Sequence, residues 1–177
     1  EREVPKLRAA LLAAQRDLAA SRLSVVVVVA GVEGAGKAEV VNELLEWLDA
    51  RGVQVHAIGE PTDEEAERPF YWRFWRRLPP QGRMGVFVGS WYSEPIIARA
   101  FGRGGDARFD EMMDRAVAFE TMLSNERTVV VKVWLHLSKD AQRKRLKDLE
   151  DDPATSWRVP KRDWKFAKRY DTFRDVC

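Results

Sequence analysis

A three-layer α/β fold with a largely parallel sheet is predicted by three observations. Residues 25–30, Val-Val-Val-Val-Val-Ala, make an apolar run too short for a membrane span and suited to a strand buried on both faces. Directly after it, Gly31-Val-Glu-Gly-Ala-Gly-Lys37 fits G-x-x-x-x-G-K and leads into a helical pattern at Ala38. Beyond the loop, strand-like and helix-like stretches alternate along the chain, the pattern of βαβ units.

Taken in order, residues 1–22 read as an amphipathic helix, with Leu7, Leu11 and Leu18 on one side and Arg8, Arg16 and Asp17 on the other. Val25–Ala30 is the first strand. Ala38–Ala50 is the next helix, its apolar face built from Val40, Val41, Leu44, Leu45, Trp47 and Leu48 and its end marked by Arg51-Gly52. Val53–Ile58 is a second strand, which completes a right-handed β-α-β unit. Gly59–Pro69 is a loop or short helix with an acidic run, Asp63-Glu-Glu65, and Phe70–Leu78 follows as an aromatic and basic segment. Met84–Val88 is a third strand ending at Gly89-Ser-Trp-Tyr92. Pro95–Ala100 starts a helix, Gly102–Gly105 is a flexible connection, and Arg108–Leu123 is helical. Thr128–Leu137 is a fourth strand and Lys139–Leu149 a charged helix, broken at Asp151-Asp-Pro153. Asp163–Phe173 is the last helix.

Length and composition narrow the classes. The 177 residues suit one domain, 45% hydrophobic and 33% charged. The net charge of +2 is small, and its distribution is more informative than its sign. Neither a nucleic-acid partner nor a membrane is expected, and with no signal peptide the default location is the cytoplasm. Cys177 is the only cysteine, so no disulfide forms within the chain, and with His56 and His136 it does not make a zinc ligand set.

The chemistry concentrates at the strand ends. Backbone N–H groups of Gly31, Gly34, Ala35, Gly36 and Ala38 can close around phosphate oxygens, and Lys37 adds a full charge at a helix N-terminus. Ala38 stands where such loops usually carry the Ser or Thr that holds magnesium. Arg73, Arg76 and Arg77 can face an anion while Tyr71, Phe74, Trp75 and Leu78 pack; the alternative is a solvated helix face. Arg99, Arg103 and Arg108 flank the flexible connection, as the cations of a lid or of a plain surface loop. Arg143, Lys144, Arg145 and Lys147 read as the wet side of a helix, and His136 as a packed strand residue. Phosphoryl transferases with this loop usually hold magnesium with an acidic residue at a neighbouring strand end. Val86-Phe-Val-Gly-Ser90 offers none, which leaves Glu33 as the first acidic candidate and Glu94 as the second.

These residues resemble the polyphosphate kinase 2 family, a P-loop fold akin to thymidylate kinase. The likeness runs through Gly31–Lys37, Pro61-Thr-Asp-Glu-Glu65, Trp72-Arg-Phe-Trp-Arg-Arg-Leu-Pro79 and Ser90-Trp-Tyr92. It continues through Phe119-Glu-Thr-Met-Leu123, Lys132-Val-Trp-Leu-His-Leu-Ser138, Asp152-Pro153 and Trp157-Arg158. The resemblance implies one P-loop domain over 1–177, a helical lid at about 95–123, and phosphate transfer between inorganic polyphosphate and AMP or ADP with Mg2+. It assigns Lys37 and Glu33 as catalytic candidates, Glu33 also as metal ligand, and Arg73, Arg76 and Arg77 to polyphosphate. Active family domains have Asp in the loop where this chain has Glu33. At the third strand they read Asp-Arg-Ser-Trp-Tyr-Asn-Arg, where this chain reads Val88-Gly-Ser-Trp-Tyr-Ser-Glu94.

The departures resemble the degenerate amino-terminal domain of tandem polyphosphate:AMP phosphotransferases, and imply a weakly active or inactive domain lacking a last strand and helix. A homo-oligomer or a second tandem domain is the implied partner. Two other readings stay open: a polyphosphate-docking or dimerisation module, and an ATP-dependent nucleoside monophosphate kinase.

Overall fold

The computed structural model describes residues 3–177 and has the expected α/β architecture. Helix α1 (Val4–Ala19) opens the chain; the first two residues of the expected 1–22 helix lie outside the described residues. Strand β1 (Ser24–Gly31) leads through the glycine loop into α2 (Lys37–Trp47), and β2 (Val53–Ala57) follows. Two single-turn helices, α3 (Asp63–Ala66) and α4 (Trp72–Trp75), precede β3 (Met84–Val88). Helices α5 (Ser93–Ala100) and α6 (Asp106–Asn125) lead to β4 (Thr128–Leu135) and α7 (Lys139–Asp151).

The final stretch departs from expectation. Asp163–Phe173 is not one helix but two short ones, α8 (Lys161–Ala167) and α9 (Tyr170–Val176). Arg169 leaves helical geometry at φ −106° and ψ 20°. Its guanidinium donates to the Ala100 carbonyl (3.2 Å) and lies over Phe101, while the Tyr170 hydroxyl donates to the Leu137 carbonyl (2.9 Å). These two tethers lie at the break and tie the chain there to α5 and to the end of β4.

All strand pairs are parallel, in the order β2-β3-β1-β4. The valine run explains why β1 is central. Val26 and Val28 enter a cluster with Phe74, Phe87, Trp91, Ala116, Phe119 and Leu123 on one face. Val27 and Val29 enter a cluster with Leu18, Val41, Leu48, Met84 and Val86 on the other, under α1 and α2. Successive side chains of a strand point to opposite faces, so an uninterrupted apolar run fills both layers of core at once. On β4 the burial instead alternates, and Val129, Val131 and Trp134 are exposed. The chain leaves β1 toward one edge of the sheet and later crosses to the other, so β1 lies at the switch point where such sheets bind ligands.

Candidate functional site

The carboxyl ends of the strands open on a cavity of about 870 Å3. Its walls include Gly31, Glu33 and Lys37 from the loop, Gly59–Pro61 after β2, Gly89 and Ser90 after β3, and Gln142 on α7.

The loop is held from two sides. Val32 N–H donates to the Leu135 carbonyl (3.1 Å), and a Cβ built on Gly31 would lie 2.0 Å from that same oxygen, so only glycine fits there. Gly36 caps α2 at φ 86°, the left-handed region that lets the chain turn into a helix at Lys37. The Lys37 ammonium donates to the Gly31 (3.1 Å) and Val32 (3.3 Å) carbonyls and pairs with Glu33 Oε2 at 2.8 Å. Behind the loop, Gln142 Nε2 donates to the Glu33 carbonyl (2.9 Å), and Leu146 packs under Gly34. Sequence reasoning missed Gln142, because a lone polar residue in a highly charged helix carries no signal of burial.

The three arginines expected along a polyanion are turned inward or aside. Arg73, only 9% exposed, donates to the Gly59 carbonyl (2.9 Å) and pairs with Glu65 at 3.1 Å. Arg77 pairs with the other Glu65 oxygen at 2.8 Å and donates to the Arg73 carbonyl. Arg76 lies over the Trp72 ring and 3.5 Å from Glu64. Glu65 is the reason: its side chain closes a capping box with Thr62 and is buried where two guanidiniums can reach it. Burial pushes the Glu65 carboxyl up, but hydrogen bonds from Arg77 and the Thr62 backbone outweigh it and hold the carboxyl below its usual range. Of the three arginines only Arg73 lines the cavity.

The connection between α5 and α6 differs. Arg99 is paired with Asp106 across the connection. Arg103 and Arg108 line the cavity, and neither guanidinium has an ion-pair or hydrogen-bond partner among the described residues. Glu120 on α6 accepts from Trp91 Nε1 (3.2 Å), the Tyr92 hydroxyl (2.7 Å) and Lys132 (2.8 Å). Ser90-Trp-Tyr92 therefore ties α6 to the sheet. Ser90 also binds its own turn, its N–H donating to Ser93 Oγ (2.9 Å).

Two further sequence expectations are corrected. Arg145 is half-exposed and pairs with Glu39 at 3.2 Å rather than standing free, whereas Arg143, Lys144 and Lys147 are exposed. His136 is exposed just past β4 and hydrogen-bonded to the Tyr170 hydroxyl rather than packed in the strand.

The acidic groups near the loop include Glu33, Glu39 beside Gly36, Glu60 and Glu94 at the cavity wall, and Asp163 on α8. Asp163 is 7% exposed, and its carboxyl is pushed up to about 6, first by burial and then by the charge of Glu33, with Arg162 and Lys37 opposing. No three Cys, His, Asp or Glu side chains converge as a metal cluster among the described residues. No described helix is long and apolar enough to cross a membrane.

A parallel α/β sheet with a glycine loop closed over a lysine at the central strand defines a P-loop fold whose site suits phosphate. The chain belongs to the polyphosphate kinase 2 family, whose model matches residues 1–177. It is 48% identical over 174 residues to the polyphosphate:AMP phosphotransferase of Pseudomonas aeruginosa, covering 98% of this chain and 35% of that protein. It is 31% identical over 170 residues to the ADP-polyphosphate phosphotransferase of Rhodopseudomonas palustris, covering 89% and 59%. The crystal structure of polyphosphate kinase 2 from Arthrobacter aurescens TC1 superposes with a TM-score of 0.86 at 31% identity, over 96% of this chain and 63% of that one. The chain spans about a third of the length of the polyphosphate:AMP phosphotransferases it matches.

Proposed function

We propose that this chain is a polyphosphate-binding P-loop domain of a polyphosphate:AMP phosphotransferase, and that its own turnover of AMP to ADP is slow. The carrying observation is an asymmetry between neighbouring strand ends. The loop after β1 keeps its glycines and Lys37, while β3 ends in Val88-Gly89-Ser90 with no carboxylate, and Glu94 stands nearby where active domains place a cation.

Phosphate enters at the loop amides and Lys37, taking over the ammonium that Glu33 and two carbonyls now hold. Arg103 and Arg108 supply positive charge from the lid side of the cavity, and Arg73 from the wall. Magnesium, when bound, screens the transferring phosphoryl group and fixes its geometry. Two carboxylates near the loop, Glu33 and Asp163, suit an ion that takes one or two protein carboxylates and completes its shell with water and phosphate oxygens. Losing the β3 carboxylate and the transition-state cations removes several kcal/mol of stabilisation, on the order of 10³-fold in rate.

The test is ADP formation by the purified chain with polyphosphate, AMP and magnesium. The expected rate is about 10³-fold below that of an intact polyphosphate:AMP phosphotransferase assayed alongside; a comparable rate refutes slow turnover.

A further inference from the structure

The chain running from β4 into α7 meets the glycine loop at two nearby peptides. Leu135, the β4 partner of Gly31, accepts from Val32 N–H (3.1 Å), and Gln142, early in α7, donates through Nε2 to the Glu33 carbonyl (2.9 Å). α7 also lies against the next residue: a Cβ built on Gly34 would stand 3.2 Å from Leu146 Cδ2 and 3.9 Å from the Gln142 carbonyl oxygen. The Gln142 side chain is buried and makes this one bond, since its Oε1 has no hydrogen-bond partner. Turning the amide over would set Oε1 against the Glu33 carbonyl oxygen, so only the donor orientation fits.

That bond fixes a peptide plane. In a trans peptide the C=O and the following N–H point in opposite directions, so a Glu33 carbonyl held against α7 turns the Gly34 N–H to the opposite, inner side of the loop. Among the described residues, the backbone bonds donated from the loop use the N–H of Val32 and Ala35 and none from Glu33, Gly34 or Gly36. Gly34 holds this orientation at φ 76°, in the left-handed region. A half-turn of the Glu33–Gly34 peptide would carry Gly34 to a φ of about −104°, an ordinary value for any residue, and put a carbonyl where the N–H stood. Glycine takes both signs of φ about equally well, so the backbone alone does not choose between the two orientations. Gln142 does.

We propose that Gln142 is a positioning residue: it locks the Glu33–Gly34 peptide in the orientation that receives phosphate, so that α7 sets the anion affinity of the loop without touching the anion. In the locked orientation the Gly34 N–H joins that of Gly36 and the Lys37 ammonium in facing phosphate oxygens. In the turned orientation a carbonyl dipole repels them. An apolar residue of comparable size would avoid the buried, donorless Oε1, but it could not hold the carbonyl.

The inference rests on the phosphate-cavity reading, and its test separates the two. The Gly34 amide of the isotope-labelled chain is followed by nuclear magnetic resonance, beside calorimetric titration with polyphosphate. Gln142→Leu removes the donor and the donorless acceptor together. Its thermal midpoint is expected to stay within about 2 °C of wild type, and its Gly34 amide resonance to be displaced before any phosphate is added. Its polyphosphate affinity is expected to fall about 10-fold, the effect of a loop that stands in the receiving orientation in about a tenth of the molecules. Val159→Ala, which loosens the packing around Leu146 of the same helix, is expected to leave the Gly34 resonance in place and change affinity less than about 2-fold. An unmoved Gly34 resonance or wild-type affinity in folded Gln142→Leu overturns the proposal, and so does an equal loss of affinity in Val159→Ala. If Gln142→Leu does not fold, the wild-type chain decides: polyphosphate shifts the Gly34 amide and leaves the Gln142 side-chain amide where it was, and a Gln142 shift as large as that of Gly34 overturns the proposal. A displaced Gly34 resonance in Gln142→Leu without polyphosphate binding by wild type supports the lock and fails the earlier reading alone. Polyphosphate binding by wild type with an unmoved Gly34 resonance in Gln142→Leu fails this inference alone.

Discussion

Two arginine-bearing segments border the cavity, and they use the same side chain in opposite ways. On the segment before β3, Arg73 and Arg77 clasp the two oxygens of one buried glutamate, and Arg76 lies on Trp72 beside Glu64. Around the α5–α6 connection, Arg103 and Arg108 line the cavity and have no acidic partner among the described residues. The first group holds structure together; the second is available to an anion. The difference arises from what lies nearby, because the acidic run of α3 comes within reach of α4 and no such run faces Arg103 and Arg108.

That contrast can be broken most severely at Glu65. Glu65→Ala leaves Arg73 buried without its counter-ion, and unfolding free energy measured in urea is expected to fall by about 3 kcal/mol. Little loss would mean that the clasp is not structural. A smaller effect is expected around the α5–α6 connection. Arg103→Ala and Arg108→Ala are each expected to weaken polyphosphate binding about 5-fold in calorimetry, with a shallower salt dependence, and Arg76→Ala less than about 2-fold. The reverse ranking would assign the polyanion to α4 after all.

The smallest effect is one of pH. Burial lowers the His56 imidazole below its ordinary value, and the charge of Arg77 lowers it further. Unfolded chain takes up this proton as pH falls through about 6.5 while native chain resists, so stability is present above that pH and lost below it. The drop in thermal midpoint between pH 7.5 and 5.5 is expected to be about 2 °C smaller in His56→Gln than in wild type. An equal drop would place the titrating group elsewhere.

The parts legible in the sequence are those with a local signature. The valine run, the glycine loop and the start of the helix after it appear within one residue of their expected bounds, because periodicity and glycine placement are written in consecutive residues, while that helix ends at Trp47 rather than Ala50. The bare β3 end was legible as well, since a missing carboxylate needs no tertiary information. The destinations of Arg73, Arg76 and Arg77 were not, although their partners Glu64 and Glu65 are near them in the chain. Helical spacing tells which arginines share a face, but not that a capped glutamate is waiting beneath it. Gln142 and Asp163 were invisible for the same reason. Gln142 matters through its hydrogen bond to the Glu33 carbonyl, 109 residues away in the chain, and Asp163 through its burial on α8.

The proposed function requires the glycine loop to bind phosphate although the neighbouring β3 end carries no carboxylate. Calorimetric titration of polyphosphate into the wild-type chain and into Lys37→Ala tests it most directly. Saturable binding by wild type is expected, weakened about 10²-fold in the variant, the effect of removing one charged contact from a partly buried phosphate site. Equal affinity in the two proteins would contradict it, and would move polyphosphate to a surface outside the glycine loop.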